Sequence, residues 1–353
     1  MMARRSRGTR QATVTDVAER AGVSLATAAR VLRSEASVNE VLAERVHKAA
    51  AELNYVPNMV ARNLRRGSGN TIGCVIGEML DPYFAEIAES VTVRAEEAHS
   101  MMAIVSNMQR SAQLELKHCR QLWEQRVDGL IIAGGGFDQR THAEKFTALV
   151  KQITAAGVVV VTLSPRLVDV PSFTVDNGAV GALMANHLVG YGHKQVGIIT
   201  GPPNSETTTQ RLRGMENVLR DAGAHVHVKH ADYSPESGSE ATAELLTERP
   251  EVTGILAAAD SMAVGAIGGV QSVGKSVPED VSVMGLGRTR LSLYSSPALT
   301  TVDVHLAAHA RAATDYIAAM VRGGEPDEFS PMEPTLVTGS SVGEARNQKP
   351  LRS

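Results

Sequence analysis

Apolar residues in roughly the first sixty positions keep a helical spacing, and beyond Thr71 the rhythm changes. Val17, Ala18, Ala21, Val23, Ala28 and Val31 are spaced to bury small apolar faces against one another. They predict two short helices within Val14–Leu32, broken by a tight turn at Ala21-Gly22-Val23. Gly22 can take the positive φ that such a turn demands without a Cβ penalty. Ser24 stands where the second helix wants an N-cap. A third amphipathic helix is expected over Glu40–Leu53, from Val41, Leu42, Val46, Ala49, Ala50 and Leu53. Tyr55-Val56-Pro57 closes this unit. The run Asn58–Arg66 is too short to hold as a helix alone in water, and Gly67-Ser68-Gly69-Asn70 reads as a flexible joint.

From Thr71 onward, short apolar runs alternate with helical patterns. Strands are expected at Ile72–Ile76, Met102–Val105, Gly129–Ile132, Val158–Thr162, Phe173–Val175, Gln195–Ile199, Val226–Val228, Gly254–Ala257 and Val281–Met284. Helices are expected at Ala85–His99, Ala112–Gln125, His142–Ala156, Ala179–Gly190, Thr209–Ala222, Ser237–Thr247 and Ser261–Val273. Continuous apolar strands between helices indicate parallel sheets covered on both faces. Nine strands in one sheet would be a large core, so two lobes are expected. The fold class is therefore α/β, with an all-α head at the amino terminus.

Charge sharpens this division. The chain is formally -3 overall, yet residues 1–66 carry a net +6 and the remainder a net -9. A basic head on an acidic body suits a partner that is itself a polyanion. The first two helices then read as a helix-turn-helix, whose second helix is shaped to enter a DNA major groove. Its exposed side would carry Leu25, Ala26, Thr27, Arg30 and Arg33. No apolar run approaches the roughly 18–20 residues that span a bilayer. The start MMARRSRGTRQ is basic with no apolar core, so it reads as an arm and not a secretory signal. Cys74 and Cys119 lack metal-ligand spacing, and structural thiols in a reducing cytoplasm are expected.

Several blocks carry a resemblance that a lone helix-turn-helix would not. TDVAERAGVSLATAARVL, RVHKAAAELNYVPNMVARNLRRG, TIGCVIGEMLDPYFAEI, RVDGLII, GHKQVGIITG, RLRGM, ADSMAVGA and PALTTVDV occur in this order over nearly the whole chain. Together they resemble the LacI/GalR family of bacterial transcription repressors. The resemblance implies a homodimer on a pseudo-palindromic operator of double-stranded DNA. It divides the chain into a basic arm (1–12), a helix-turn-helix domain (13–57), a hinge helix with linker (58–70), a two-lobed effector-binding and dimerisation domain (71–345) and a tail (346–353). No leucine heptads follow Gly343, so a dimer is expected in preference to a tetramer built on a coiled coil.

By the same resemblance Leu25, Ala26 and Arg30 take base-facing positions. Arg30 can bond a guanine bidentately, and Leu25 and Ala26 can offer only apolar contact to a thymine methyl. Thr15, Thr27 and Asn39 are expected on phosphates, which sets register and not sequence. Ser24, Tyr55, Asn58 and Ala61 also fall among the DNA-binding positions. Leu64 matches the leucine that wedges into the minor groove at the operator centre. The family usually has a hydroxyl residue at Ala29 and an asparagine at Arg33.

The body resembles the periplasmic sugar-binding-protein fold. Three crossovers between its lobes are expected near Phe173–Asp176, Thr301–Asp303 and Ser330–Glu333. A small-molecule effector would bind in the cleft between them. The match nominates Asp81, Tyr83, Phe84, Asp176 and Arg211. Each has a plainer alternative: Phe84 as core, Asp176 as a helix cap. Three positions depart from the sugar-binding pattern: Ser164 and Gly287-Arg288 where aspartates are frequent, and Ala259 where a polar residue often stands. Carboxylates are thus missing while Arg288 and Arg290 bring cations, unless these face solvent. An anionic effector, such as a sugar acid or phosphorylated sugar, is the resulting expectation.

Other signals weigh less. His225, His227 and His230, and the pair His305 and His309, have no Cys or carboxylate cluster at convincing metal spacing. Gly134-Gly135-Gly136 lacks a phosphate-binding pattern, and no catalytic motif is present. Neither cofactor nor catalysis is expected. A solute-binding protein of a sugar transporter is the alternative, which the basic head and the start of the sequence disfavour.

Overall fold

The computed structural model describes residues 12–32, 39–56, 70–137, 140–203 and 205–346. The chain divides into two compact units, Met1–Gly69 and Asn70–Ser353.

The first unit holds α1 (Val14–Ala21), α2 (Leu25–Val31) and α3 (Glu40–Glu52). Thr13 and Asp16 close a reciprocal capping box at the start of α1, which satisfies two otherwise orphaned N–H groups. Gly22 ends α1 at φ 64°, the left-handed region that lets the chain reverse before Ser24 caps α2. Val17, Ala18, Ala21, Ala28, Val31, Val46 and Ala49 form the core. Arg45 of α3 donates from Nη2 to the carbonyl of Ala21 at 2.6 Å. It thereby neutralises the carbonyl end of α1. The hinge positions Asn58, Ala61 and Leu64, and Arg33, lie outside the described residues.

The second unit is two parallel-sheet lobes. The first sheet contains β1 (Thr71–Ile76), β2 (Met102–Asn107), β3 (Gly129–Ile132) and β4 (Val159–Thr162) in the order β2-β1-β3-β4, all parallel. Its helices are α4 (Pro82–His99), α5 (Ala112–Glu124) and α6 (Arg140–Ala155). The second sheet runs β10-β9-β8-β7-β5-β6 among the described residues. Its strands are β5 (Gln195–Thr200), β6 (His225–His230), β7 (Gly254–Ala257), β8 (Ser282–Leu286), β9 (Thr300–Asp303) and β10 (Thr335–Val337). Only the β9–β10 pair is antiparallel. Helices α7 (Asn177–Gly190), α8 (Glu206–Asp221), α9 (Pro235–Glu248), α10 (Asp260–Ser272) and the short α11 (Arg290–Leu293) belong to this lobe. The last helix, α12 (Leu306–Val321), packs back on α4, β3 and β4 of the first lobe.

The chain therefore passes between lobes at 163–176, 304–305 and 322–334. Phe173–Val175 is not a strand as the apolar run suggests; it lies in the first crossover, held by a single bridge between Thr162 and Ser172. Buried apolar strands with helices on both faces are what a parallel sheet requires. Cys74 and Cys119 are both buried and unbridged. Burial pushes the Cys74 thiol up to about 12 and raises Cys119 as well, which leaves both inert as nucleophiles. No described helix is long and apolar enough to cross a membrane.

Candidate functional site

Two surfaces carry the chemistry, one in each unit. In the first, α2 presents Leu25, half exposed, together with exposed Ala26 and Arg30. Ala28 and Val31 bury the opposite face of this helix against the head core. Ser24 and Thr27 bond each other at 2.8 Å across the helix start, and Thr27 is half-buried. Thr15 is exposed on α1. Asn39 caps α3, its Oδ1 accepting from the Val41 N–H at 2.9 Å. Tyr55 packs half-buried against the head core.

In the second unit a cavity of about 270 Å³ lies between the lobes. Residues after β1, β2, β3 and β4 line it from one side, residues of α7, α8 and the loops after β5, β6 and β7 from the other, and two of the three crossovers, 163–176 and 304–305, contribute with the start of α12. Asp81, Tyr83, Phe84, Ser164, Arg211 and Ala259 all line it.

Arg211 is the centre of this cavity. It sits on the buried face of α8 with Thr208, Met215 and Leu219, and is 6% exposed. Its Nε donates to Asn177 Oδ1 at 2.9 Å and its Nη1 to the carbonyl of Ala258 at 3.3 Å. Tyr83 lies beside it; burial raises the phenol's pKa and the guanidinium pulls it back only in part, so the phenol is neutral. Every described partner of this buried cation is thus neutral. Buried charges are normally paired, because desolvation of a lone ion is costly.

A second cation is already balanced. Arg110 donates from Nη2 to Asp81 Oδ2 at 2.6 Å, and Asp81 Oδ1 accepts from the Tyr83 N–H at 3.0 Å as the cap of α4. The Arg110 guanidinium also lies 5.3 Å from the centre of the Tyr233 ring, across the cleft. Tyr233 is held at φ 73°, a conformation that costs a bulky residue on the order of 1–3 kcal/mol. Its hydroxyl bonds Thr208 Oγ1 at 2.7 Å, which fixes the ring over the cavity. His309 donates from Nδ1 to the carbonyl of Val304 at 3.1 Å, and its Nε2 finds no partner among the described residues. Burial lowers its pKa, so the ring is neutral.

Two expected residues lie elsewhere. Asp176 spends Oδ1 on the N–H groups of Gly178 and Ala179, at 2.8 and 3.0 Å, and is the cap of α7 outside the cavity. Arg288 also lies outside it, half exposed and paired with Asp303 at 2.8 Å. Arg290 is exposed and reaches Glu89 at 3.4 Å. The cations that suggested an anionic effector therefore do not line the cavity: Arg288 turns to Asp303 on its own lobe and Arg290 to Glu89 on α4 of the other. Arg110, Asn177, Tyr233 and His309 are cavity residues that no local sequence signal marks, since each has meaning only through a partner far along the chain.

Behind the cavity lies a buried ion cluster. Glu115, with no exposed surface, accepts from His142 Nε2 at 2.7 Å and from Arg166 Nη2 at 2.5 Å. Burial alone would raise this carboxyl, but the His142 hydrogen bond and the Arg166 charge more than reverse it, and its pKa lies below the ordinary value. Arg166 stacks 4.6 Å from the centre of Phe146 and donates from Nε to Ser164 Oγ at 3.3 Å. Ser164 in turn donates to the carbonyl of Gly134 at 3.0 Å, so the cluster sets one wall of the cavity.

Known proteins match both units. Residues 13–58 match the family described as bacterial regulatory proteins, lacI family, and residues 69–333 match the periplasmic binding proteins and sugar binding domain of that family. The HTH-type transcriptional repressor PurR of Aliivibrio fischeri (strain MJ11) is 31% identical over 340 residues, covering 94% of this chain and 98% of its own length. The HTH-type transcriptional repressor CytR of Escherichia coli (strain K12) is 30% identical over 294 residues, covering 82% and 84% respectively. A crystal structure of the lac repressor dimer bound to operator and the anti-inducer ONPF superimposes with a TM-score of 0.80 at 28% identity, over 95% of this chain and 100% of that one. Relatives that match over both units are repressors, and the transporter alternative falls. The chain belongs to the LacI family of bacterial regulatory proteins and is a DNA-binding transcriptional repressor of that family.

Proposed function

We propose that this repressor acts as a homodimer on a pseudo-palindromic operator and that a small anionic effector in the interlobe cavity controls its affinity for DNA. The observation that carries the reading is Arg211: a buried cation with only neutral described partners, facing a cavity, in a chain whose other unit exposes a helix-turn-helix. In this reading Leu25, Ala26 and Arg30 meet base edges. Thr15, Ser24, Thr27, Asn39 and Tyr55 meet the backbone, and Asn58, Ala61 and Leu64 contact the minor groove. Domain limits of 13–57, 58–70 and 71–345 follow from the same reading.

Control works through the lobes. They touch across the cleft through the Glu206 N–H donating to the Gly136 carbonyl at 3.1 Å, through Arg110 on Tyr233, and through the Arg290 N–H donating to Glu86 Oε1 at 2.5 Å. A ligand that prefers one spacing of the lobes shifts the population of DNA-competent dimers, with a coupling on the order of 1–3 kcal/mol.

The DNA half is tested by fluorescence anisotropy on a high-affinity duplex. Arg30→Ala is expected to weaken binding by about 1–3 kcal/mol and to relax discrimination at one base pair per half-site. An equal loss on every sequence would remove Arg30 from base readout and leave it as a backbone contact.

A further inference from the structure

We infer that the effector is a compact aromatic carboxylate and not a sugar derivative. This rests on the reading of the cavity as the effector site and names the chemistry it would take. The chain is poor in rings, with one Trp, six Tyr and five Phe in 353 residues. Tyr83, Phe84, Phe137, Phe173 and Tyr233 nevertheless all line this one cavity. Phe84 touches the backbone so closely that a Cβ at Gly77 or Gly134 would meet its ring at 2.4 and 2.8 Å. The ring is therefore wedged in place as a wall. Tyr83 meets it edge-on, with centres 5.2 Å apart. Aromatic walls favour a flat apolar body that can stack or meet them edge-on.

The polar groups argue in the same direction. A polyhydroxylated ring donates several protons and needs an acceptor for each, since a buried donor left unmade is costly. Among the described residues Asp81, Asn177, Ser164, Tyr233 and Thr208 already make hydrogen bonds within the protein, and His309 Nε2 is the one buried side-chain acceptor of the cavity left open. Both Asp81 oxygens take protein N–H groups, from Tyr83 and Arg110. Asn177 Oδ1 takes Arg211 Nε. Ser164 Oγ lies between the Gly134 carbonyl and Arg166. Tyr233 and Thr208 satisfy each other. Beside that acceptor the cavity retains donor capacity on Arg211, whose planar fork of five N–H groups uses Nε and one N–H of Nη1 on Asn177 and the Ala258 carbonyl and can turn the rest to a planar carboxylate. The volume of about 270 Å³ sits at the lower edge of the ~300–1,000 Å³ typical of small-molecule sites. That suits a body of one or two fused rings.

Isothermal titration calorimetry on the full-length protein separates the classes, with benzoate and 2-naphthoate as probes. Benzamide and 2-naphthamide are their neutral counterparts, and gluconate and glucose 6-phosphate represent hydroxylated anions. At least one arylcarboxylate is expected to bind more than about tenfold tighter than its amide and than either sugar derivative. In Arg211→Gln, checked for an unchanged melting profile, that preference should collapse while amide binding stays within a few-fold. If Arg211→Gln melts differently, Arg211→Lys supplies the same comparison, with a point charge that cannot form the bidentate pair. Tighter binding of gluconate or glucose 6-phosphate, equal binding of acid and amide, or no binding by either arylcarboxylate would each overturn the inference. The same preparation is assayed on its selected DNA. Retained DNA binding with failed ligands sinks this inference alone, and loss of both sinks the regulator reading with it.

Discussion

Replacing Glu115 with alanine is expected to cost the larger unit about 3–5 kcal/mol of stability, the usual penalty for removing one partner of a buried ion pair. The carboxylate has no exposed surface, and its two partners are nearly as deep, with His142 and Arg166 side chains 6% and 5% exposed. Without it, Phe146, Ser164 and the Gly134 carbonyl are what remains around the Arg166 guanidinium among the described residues. The effect has a pH signature. Glu115 titrates below its ordinary value of 4.5 in the folded chain. Its contribution is therefore fully present above the unfolded pKa and is lost as pH falls through the lower folded value. Urea unfolding at neutral pH should show the full gap between the parent protein and Glu115→Ala. The gap should narrow only once the pH drops below the ordinary glutamate range. A loss under about 1 kcal/mol at neutral pH would mean that the cluster is not what holds this wall.

The second large effect falls on a glycine. In exposed helix interiors Gly→Ala stabilises, because alanine has the higher helix propensity. At Gly181 the sign should reverse. A Cβ there would lie 2.1 Å from the Arg211 carbonyl oxygen, and one at Gly214 would lie 2.2 Å from the Gly178 carbonyl oxygen. The contacts are reciprocal: α7 and α8 approach backbone to backbone along this seam. Gly181→Ala must push the helices apart, at a cost of about 1–3 kcal/mol from overpacking. It also displaces Arg211 from Asn177 and the Ala258 carbonyl, so ligand binding should fall with stability. Gly190 is the internal control, since it ends the same helix with nothing within 4 Å of an added Cβ. Thermal melts should show Gly190→Ala at or above the parent and Gly181→Ala well below it. Parity between the two would contradict the close seam.

These two sites show what a sequence discloses. Helices α1 to α3 are legible because capping residues and a 3.6-residue period speak locally, and β1, β3, β5, β7 and β8 because buried parallel strands are continuous apolar runs. Phe173–Val175 has the same run without being a strand, because its apolar side chains serve the cavity and not a sheet face. The short strands β9 and β10 do not stand out, TTVD because it is mostly polar and TLV because it is only three residues long. Helix α12 is rich in alanine on every face, so its period is blurred.

The site divides along the same line. Arg211 announces itself through RLRGM. The Asp81–Arg110 pair, the Arg110–Tyr233 contact and the Glu115–Arg166 pair join residues from about thirty to more than a hundred positions apart, and no local pattern encodes them. Arg288 fails in the opposite way. Its position in the chain is close to the cleft, yet Asp303 draws the side chain to the rim. Proximity in sequence fixes where a backbone runs and says nothing of where a long side chain finds its countercharge.

The central claim is sequence-specific recognition of DNA by a two-fold dimer. It is tested most directly by letting the full-length protein select duplexes from a random library at physiological salt. The account predicts enrichment of a pseudo-palindromic site, with half-sites centred about one helical turn apart and affinity that falls steeply with added salt. Recovery of no common sequence, or of a single half-site bound equally well without its mate, would contradict it.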